Sequence, residues 1–410
     1  MTHAATLPAV ILSRAEAAAT TRPRLFFVDH LRSALMILVV LHHTALVYGA
    51  SLEGYYYVEP PFGDAEAFRT LLIFALVNQA WFMGAFFLVA GYFTPGSVDR
   101  KGSVAFLRDR LVRLGIPLAL FFFVLGPISF IGYFLMPAAL TGIATPLTWE
   151  SYWNAYPDFL AIGPLWFVAM LLIFSVAYAA WRAVAGSNAP ADDRAPASDS
   201  QPTAPSYLSV GVFVLVLALA SYLTRMFVPL GQAVLQFPTL AYLPQYLSFF
   251  VIGMIAYRRD WFRTVPDSMG VAGLVAAAVA GFTLFPLAFS GQWFSLELSP
   301  TLDNAMGNGH WQSAAYALWD SIFAVGMCLG LVTVFRRFID GRGSFGRFLS
   351  HQSYAVYVIQ IPVIVFIAYA LRDIELDALP KFALVSAVVL PACFAIAFLV
   401  RKVPLASRVF

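Results

Sequence analysis

FVDHLRSALMILVVLHHTALVY, residues 27–48, is an apolar run long enough to cross a membrane, and it carries Asp29, Arg32, His42 and His43. Ionisable groups are costly in hydrocarbon, so a spanning helix that keeps them uses them. Their spacing shows how. Arg32 and His43 are eleven positions apart, about 1100° of helical rotation, so they project from nearly one face with a rise of roughly 16 Å between them. Asp29 lies one turn before Arg32 on that face. His42 points about 100° away and is expected to pack or hydrogen-bond. A single polar stripe thus runs from the membrane edge to about mid-membrane. It can hold an anionic ligand at one end and move a proton at the other, since a neutral imidazole is what a general base needs. Asp29 and Arg32 either neutralise each other at the helix start or contact ligand directly.

Outward from this run the chain continues in the same character. Of its 410 residues, 60% are hydrophobic and only 11% charged, against about a quarter charged in soluble domains. The expected fold is an all-α polytopic membrane protein. Ten spans are expected, at 27–49, 70–94, 114–136, 163–183, 207–227, 240–257, 269–289, 313–335, 352–371 and 381–401. With both termini cytoplasmic, 21 of the 25 Lys and Arg residues fall inside, the bias that sets orientation in membranes. Arg69, Arg225, Arg372 and Lys381 are the four left outside. An odd number of spans would scramble this asymmetry.

The domain plan is simple: a cytoplasmic tail over 1–24, one transmembrane domain over 25–402, and a short cytoplasmic tail over 403–410. Residues 186–206, GSNAPADDRAPASDSQPTAPS, are too poor in apolar side chains to order themselves and read as a flexible cytoplasmic linker. The outer loop 290–312 mixes aromatics with Glu297, Asp303, Asn304, Asn308 and His310. It reads as an interfacial aromatic belt rather than as an acceptor-binding loop. Cys328 and Cys393 lie in apolar runs and form no disulfide framework. Nothing in the sequence implies a metal or a nucleic-acid partner.

A second basic cluster, AFLRDRLVRLGIP at 105–117, puts Arg110 and Arg113 one turn apart on a helix entering the membrane. Any one of these arginines could be a topological anchor. Several of them beside the polar end of the first span suggest a phosphate site, because guanidinium forks match phosphate oxygens. Pro117 is tolerable there if another group satisfies the carbonyl it frees. No P-loop or dinucleotide glycine pattern is present. Further polar positions inside spans are Asn78, Gln79, Trp166, Asp320, Ser353, Tyr354 and Gln360.

These residues resemble the acyltransferase 3 family of integral membrane acyltransferases. Arg32, ten intervening residues and His43 are similar to its opening motif. WFMGAFFLVAGYF at 81–93, FLRDRLVRLGIP at 106–117, GPLWFVAMLLIF at 163–174 and HQSYAVYVIQIPV at 351–363 follow in the family's order. The likeness covers roughly residues 24–401 and is nearest the glucan-modifying branch. It implies transfer of an acyl group from cytoplasmic acyl-CoA to a hydroxyl, often on a sugar, in a bacterial inner membrane. It also implies that His43 and Arg32 are essential and that Arg110 and Arg113 help hold the donor. Members often carry His where this chain has Gln360. On this reading His43, Arg32 and Asp29 form the catalytic group, with His43 as base or, alternatively, as an acyl carrier. Two other classes stand beside it: a transporter or flippase with charges along a solute path, and a non-catalytic scaffold. The lack of paired broken helices in the sequence reading argues against transport.

Overall fold

Every apolar run expected to span the membrane is helical in the computed structural model, which describes residues 24–50, 55–59, 65–136, 146–185, 204–290, 299–404 and 406–410. Most of the 186–206 linker, Glu297 in the outer loop and the 1–24 tail up to residue 23 lie outside the described residues. Among the described residues, ten helical segments are long and apolar enough to cross a membrane: Phe26–Gly49, Ala65–Lys101, Ser103–Leu135, Trp149–Ala185, Tyr207–Arg225, Leu240–Arg258, Asp267–Ala288, Trp311–Phe338, Ser344–Ala370 and Ala378–Val400. Among the described residues there is no β-strand, only one isolated bridge between Val234 and Phe237. Hydrocarbon offers backbone groups no partner, so helices that satisfy their own N–H and C=O groups are the available solution.

The first span lies inside the bundle, packed on the second, eighth, ninth and tenth. Glycine sets the closest helix approaches. Gly91 of the second span abuts the Phe250 carbonyl, and Gly253 of the sixth abuts the Leu88 carbonyl. Gly273 and Gly326 do the same for the seventh and eighth spans. In lipid, small residues let backbones pack where no hydrophobic drive holds helices together. Phe87, Trp166 and Tyr246 fill the space beside the second and sixth spans, with rings 4.9 and 5.3 Å from Tyr246.

The second span is not one helix. It consists of Ala65–Gln79 and Phe82–Lys101, interrupted at Trp81, whose φ and ψ are −140° and −35°. The freed carbonyl of Ala80 accepts from Gln245 Nε2 at 2.7 Å, and Gln79 Nε2 donates to Tyr246 Oη at 3.0 Å. The reading of 70–94 as one continuous helix is corrected by this break. Two amides, Gln79 and Gln245, hold the break in register; apolar periodicity cannot reveal it.

The third span is irregular for a related reason. It winds into π turns at Leu111–Gly115 and Phe121–Leu125. Pro117 has no N–H for the Arg113 carbonyl four residues earlier, and Tyr354 Oη donates to that carbonyl at 2.6 Å. Pro127 stands in the same relation to Phe123, whose carbonyl accepts from Tyr156 Oη at 2.6 Å.

Arginines crowd one end of the bundle. At the other end, two charges from the outer span ends are buried. Arg225 ends the fifth span fully buried, 2.5 Å from Asp320 and over the rings of Tyr242 and Tyr316. Lys381 lies in the first turn of the tenth span, 2.8 Å from Glu59, with side chains 3% and 7% exposed. Both were counted on the outer side by the charge pattern; the structure buries them at that end, and an acid from another segment meets each. The outer loop also packs: Ser299–Met306 is helical, and Leu230 N donates to the Met306 carbonyl.

Candidate active site

Residues 26–45 form one uninterrupted helix, so the side chains on its polar face are placed by backbone geometry alone. Asp29, Arg32 and, one turn deeper, Met36 all line a cavity of about 540 Å³ at the arginine-rich end. Arg110 and Arg113 of the third span open onto the same cavity. So do Arg24, His351 and Arg401, which the sequence reading left outside the site. Asp29 sits 2.7 Å from Arg24 and 3.8 Å from Arg32. It both pairs with arginine and faces the cavity, so the two roles left open are not exclusive. Five guanidinium groups and one carboxylate thus ring the cavity mouth, an arrangement made for a polyanion.

Neighbours hold these arginines in place. Arg110 stacks 5.0 Å over the Phe106 ring. Arg113 is fixed through its own backbone by the Tyr354 hydroxyl. Arg401 donates to the His351 carbonyl and to Gln352 Oε1. Val409 and Phe410 also line the cavity, with the Phe410 ring 5.7 Å from Tyr354. No sequence signal separates Arg24 and Arg401 from ordinary anchors at span ends. Only the bundle brings them to one opening.

The cavity floor is apolar, formed by Met36, Met83, Phe167, Val168 and Leu171 beside Tyr357. Beyond it, seven positions past Met36 on the same helical face, lies His43, about 10 Å deeper. One turn beyond Tyr357 on the ninth span, fully buried Gln360 lies near the His43 ring; its Nε2 donates to the Tyr357 carbonyl at 3.4 Å and its Oε1 has no hydrogen-bond partner among the described residues. Gln360 therefore occupies the histidine's side of the site. His43 Nδ1 is 3.0 Å from the Val39 carbonyl. A carbonyl only accepts, so Nδ1 carries the proton and Nε2 presents its lone pair. The Tyr55 ring lies parallel to the imidazole at 6.3 Å, and the buried Tyr55 hydroxyl makes no hydrogen bond within the protein. Tyr55 was not foreseen, because it comes from the loop after the span.

His42 differs in kind. It is buried, packs 5.2 Å from the Phe82 ring, and its Nδ1 has no hydrogen-bond partner. The two neighbours share a type but not a face. Trp166 and Tyr246 stack as core, and Asp320 serves Arg225 at the far end; neither joins this cavity. His30, on the first span, is tied to the Gly341 carbonyl at 2.8 Å and anchors the helix start to the loop before the ninth span.

No curated protein and no solved structure matches this chain. The family model described as an acyltransferase domain matches residues 25–398, nearly the whole of it. The unbroken run from the first span to the tenth, with the arginine-lined cavity inside it, is one such domain. The chain belongs to the acyltransferase 3 family of membrane acyltransferases.

Proposed function

We propose that this acyltransferase takes its acyl group from cytoplasmic acyl-CoA and passes it to a hydroxyl, with His43 as the base. The acceptor class we favour is a carbohydrate, in keeping with the resemblance to the glucan-modifying branch, and the membrane is the bacterial inner membrane. One observation supports the reading: Asp29, Arg32 and Met36, which line the arginine cavity, share one face of an uninterrupted helix with His43, about 10 Å beyond Met36. The donor's phosphates meet Arg32, Arg110 and Arg113, with Arg24 and Arg401 completing the ring. The apolar floor receives the pantetheine arm and leads the thioester toward His43. His43 Nε2 takes the proton from the acceptor hydroxyl as its oxygen attacks the thioester carbonyl. The C–S bond breaks, and the thiolate leaves with the proton returned by the imidazolium. Direct transfer is preferred to an acyl-histidine as the shorter sequence of steps, the same Nε2 lone pair serving either. Holding both substrates in one buried site supplies much of the rate gain.

Thiol release from acyl-CoA by purified protein in lipid nanodiscs tests this. Release that rises with a polyol or glycan acceptor, and is absent with acetate in place of the thioester, is the expected outcome. Substrate passage without thioester consumption would instead support a transporter.

A further inference from the structure

A second cavity, of about 720 Å³, opens between the fourth and sixth spans and shares no lining residue with the first. Its lining is divided by chemistry. Phe174, Ala177, Leu247, Val251 and Ile255 form an apolar trough, and Arg182, Arg258 and Arg259 stand at its arginine-rich end. Leu247, Val251 and Ile255 are four residues apart on one face of the sixth span and are 47%, 39% and 39% exposed. The trough therefore opens sideways, where acyl chains would lie, rather than toward the end of the bundle. From Leu247 to Arg259 the helix rises about 18 Å. One hydrocarbon leaflet is about 15 Å thick, so the trough has the depth of a single lipid.

The charged end is organised. Asp99 of the second span accepts from Arg182 at 3.2 Å and pairs with Arg258 at 2.8 Å. Two guanidinium groups against one carboxylate leave one positive charge in excess. Arg259 is exposed and adds another. Asp99 fixes the forks without exhausting their donors, leaving N–H groups for a phosphodiester. Trp181, 59% exposed, and Tyr178 lie at the same level, where amphipathic rings sit at a bilayer interface. Charge, depth and sideways opening converge on one occupant. We infer that this groove is a binding site for an anionic glycerophospholipid, with its phosphate among Arg182, Arg258 and Arg259 and an acyl chain in the trough beside Ala177. A lipid so held bridges the fourth and sixth spans, and its binding is independent of the acyl-transfer site.

The experiment uses delipidated full-length protein in neutral detergent and reads its thermal midpoint. Dioleoylphosphatidylglycerol is expected to raise the midpoint saturably. Dioleoylphosphatidylcholine, with the same chains, and glycerol 3-phosphate, without chains, are expected to leave it unchanged. Arg259→Gln, which breaks no ion pair with Asp99, should weaken apparent affinity about fivefold, the effect of one charge near a lipid surface. Ala177→Trp, which fills the trough, should abolish the shift. Arg347→Gln, an exposed arginine at the same end but outside the groove, should behave as wild type. Equal shifts from phosphatidylcholine or glycerol 3-phosphate would overturn the inference. So would unchanged affinity in Arg259→Gln, equal weakening in Arg347→Gln, or no saturable shift at all.

Discussion

Adjacent histidines on the first span separate function from packing. His43 donates through Nδ1 to the Val39 carbonyl and shares its face with Arg32 and Met36; His42 lies against Phe82. His43→Ala is expected to lower acyl transfer by about 10²–10⁴, the usual contribution of a positioned proton acceptor. His42→Ala should retain most activity. Turnover of the two purified variants at saturating substrates decides between them, and a dead His42→Ala beside an active His43→Ala would put the chemistry on the wrong face. At the cavity mouth, Arg110→Ala and Arg113→Ala should each raise the donor KM about tenfold or more, since a charge-assisted contact is worth roughly 1.5–3 kcal/mol. Arg→Lys should restore only part of this, because a point charge cannot reproduce the fork. An unchanged donor KM in the folded double-alanine protein would reduce both residues to anchors. These residue types and their spacing were readable in the sequence. Tyr55, Arg24 and Arg401 were not, because each reaches the site through tertiary packing.

Glycine contacts and proline-freed carbonyls decide how the helices meet. A Cβ at Gly91 would run into the Phe250 carbonyl, whereas one at Gly211 of the fifth span meets nothing within 4 Å. Gly91→Val should therefore cost about 1–3 kcal/mol through overpacking. Gly211→Ala should be neutral or slightly stabilising, because it lowers the entropy of the unfolded chain. Thermal unfolding in detergent compares them, and equal midpoints would contradict the tight second–sixth span contact. The break at Trp81 has the same tertiary character. Asn78 and Gln79 interrupt the apolar run beside it, but the break stands because Gln245 on another helix satisfies the Ala80 carbonyl.

Across the whole molecule, charge asymmetry gives a testable orientation. With the arginine-rich end facing the cytoplasm, 21 of the 25 basic residues lie inside. Reporters fused after residues 195 and 300 are expected to show opposite sidedness, cytoplasmic at the first. The same sidedness at both would break the ten-span map. On this proposed orientation, the mouth of five arginines would open to the cytoplasm.

The sequence by itself determined that the chain is a bundle of ten apolar helices, because a run of about 20 apolar residues has one backbone solution in hydrocarbon. It also determined the Asp29–Arg32–His43 stripe, because a single unbroken helix converts spacing into direction without help from the rest of the fold. Tertiary structure decided what depends on contact between distant segments. It paired Arg225 with Asp320 and Lys381 with Glu59, set Gln360 beside His43, and broke the second span where two glutamines could hold it. Helical periodicity records which way a residue points. It carries no information on which partner waits there, and a buried charge or a freed carbonyl is stable only through that partner.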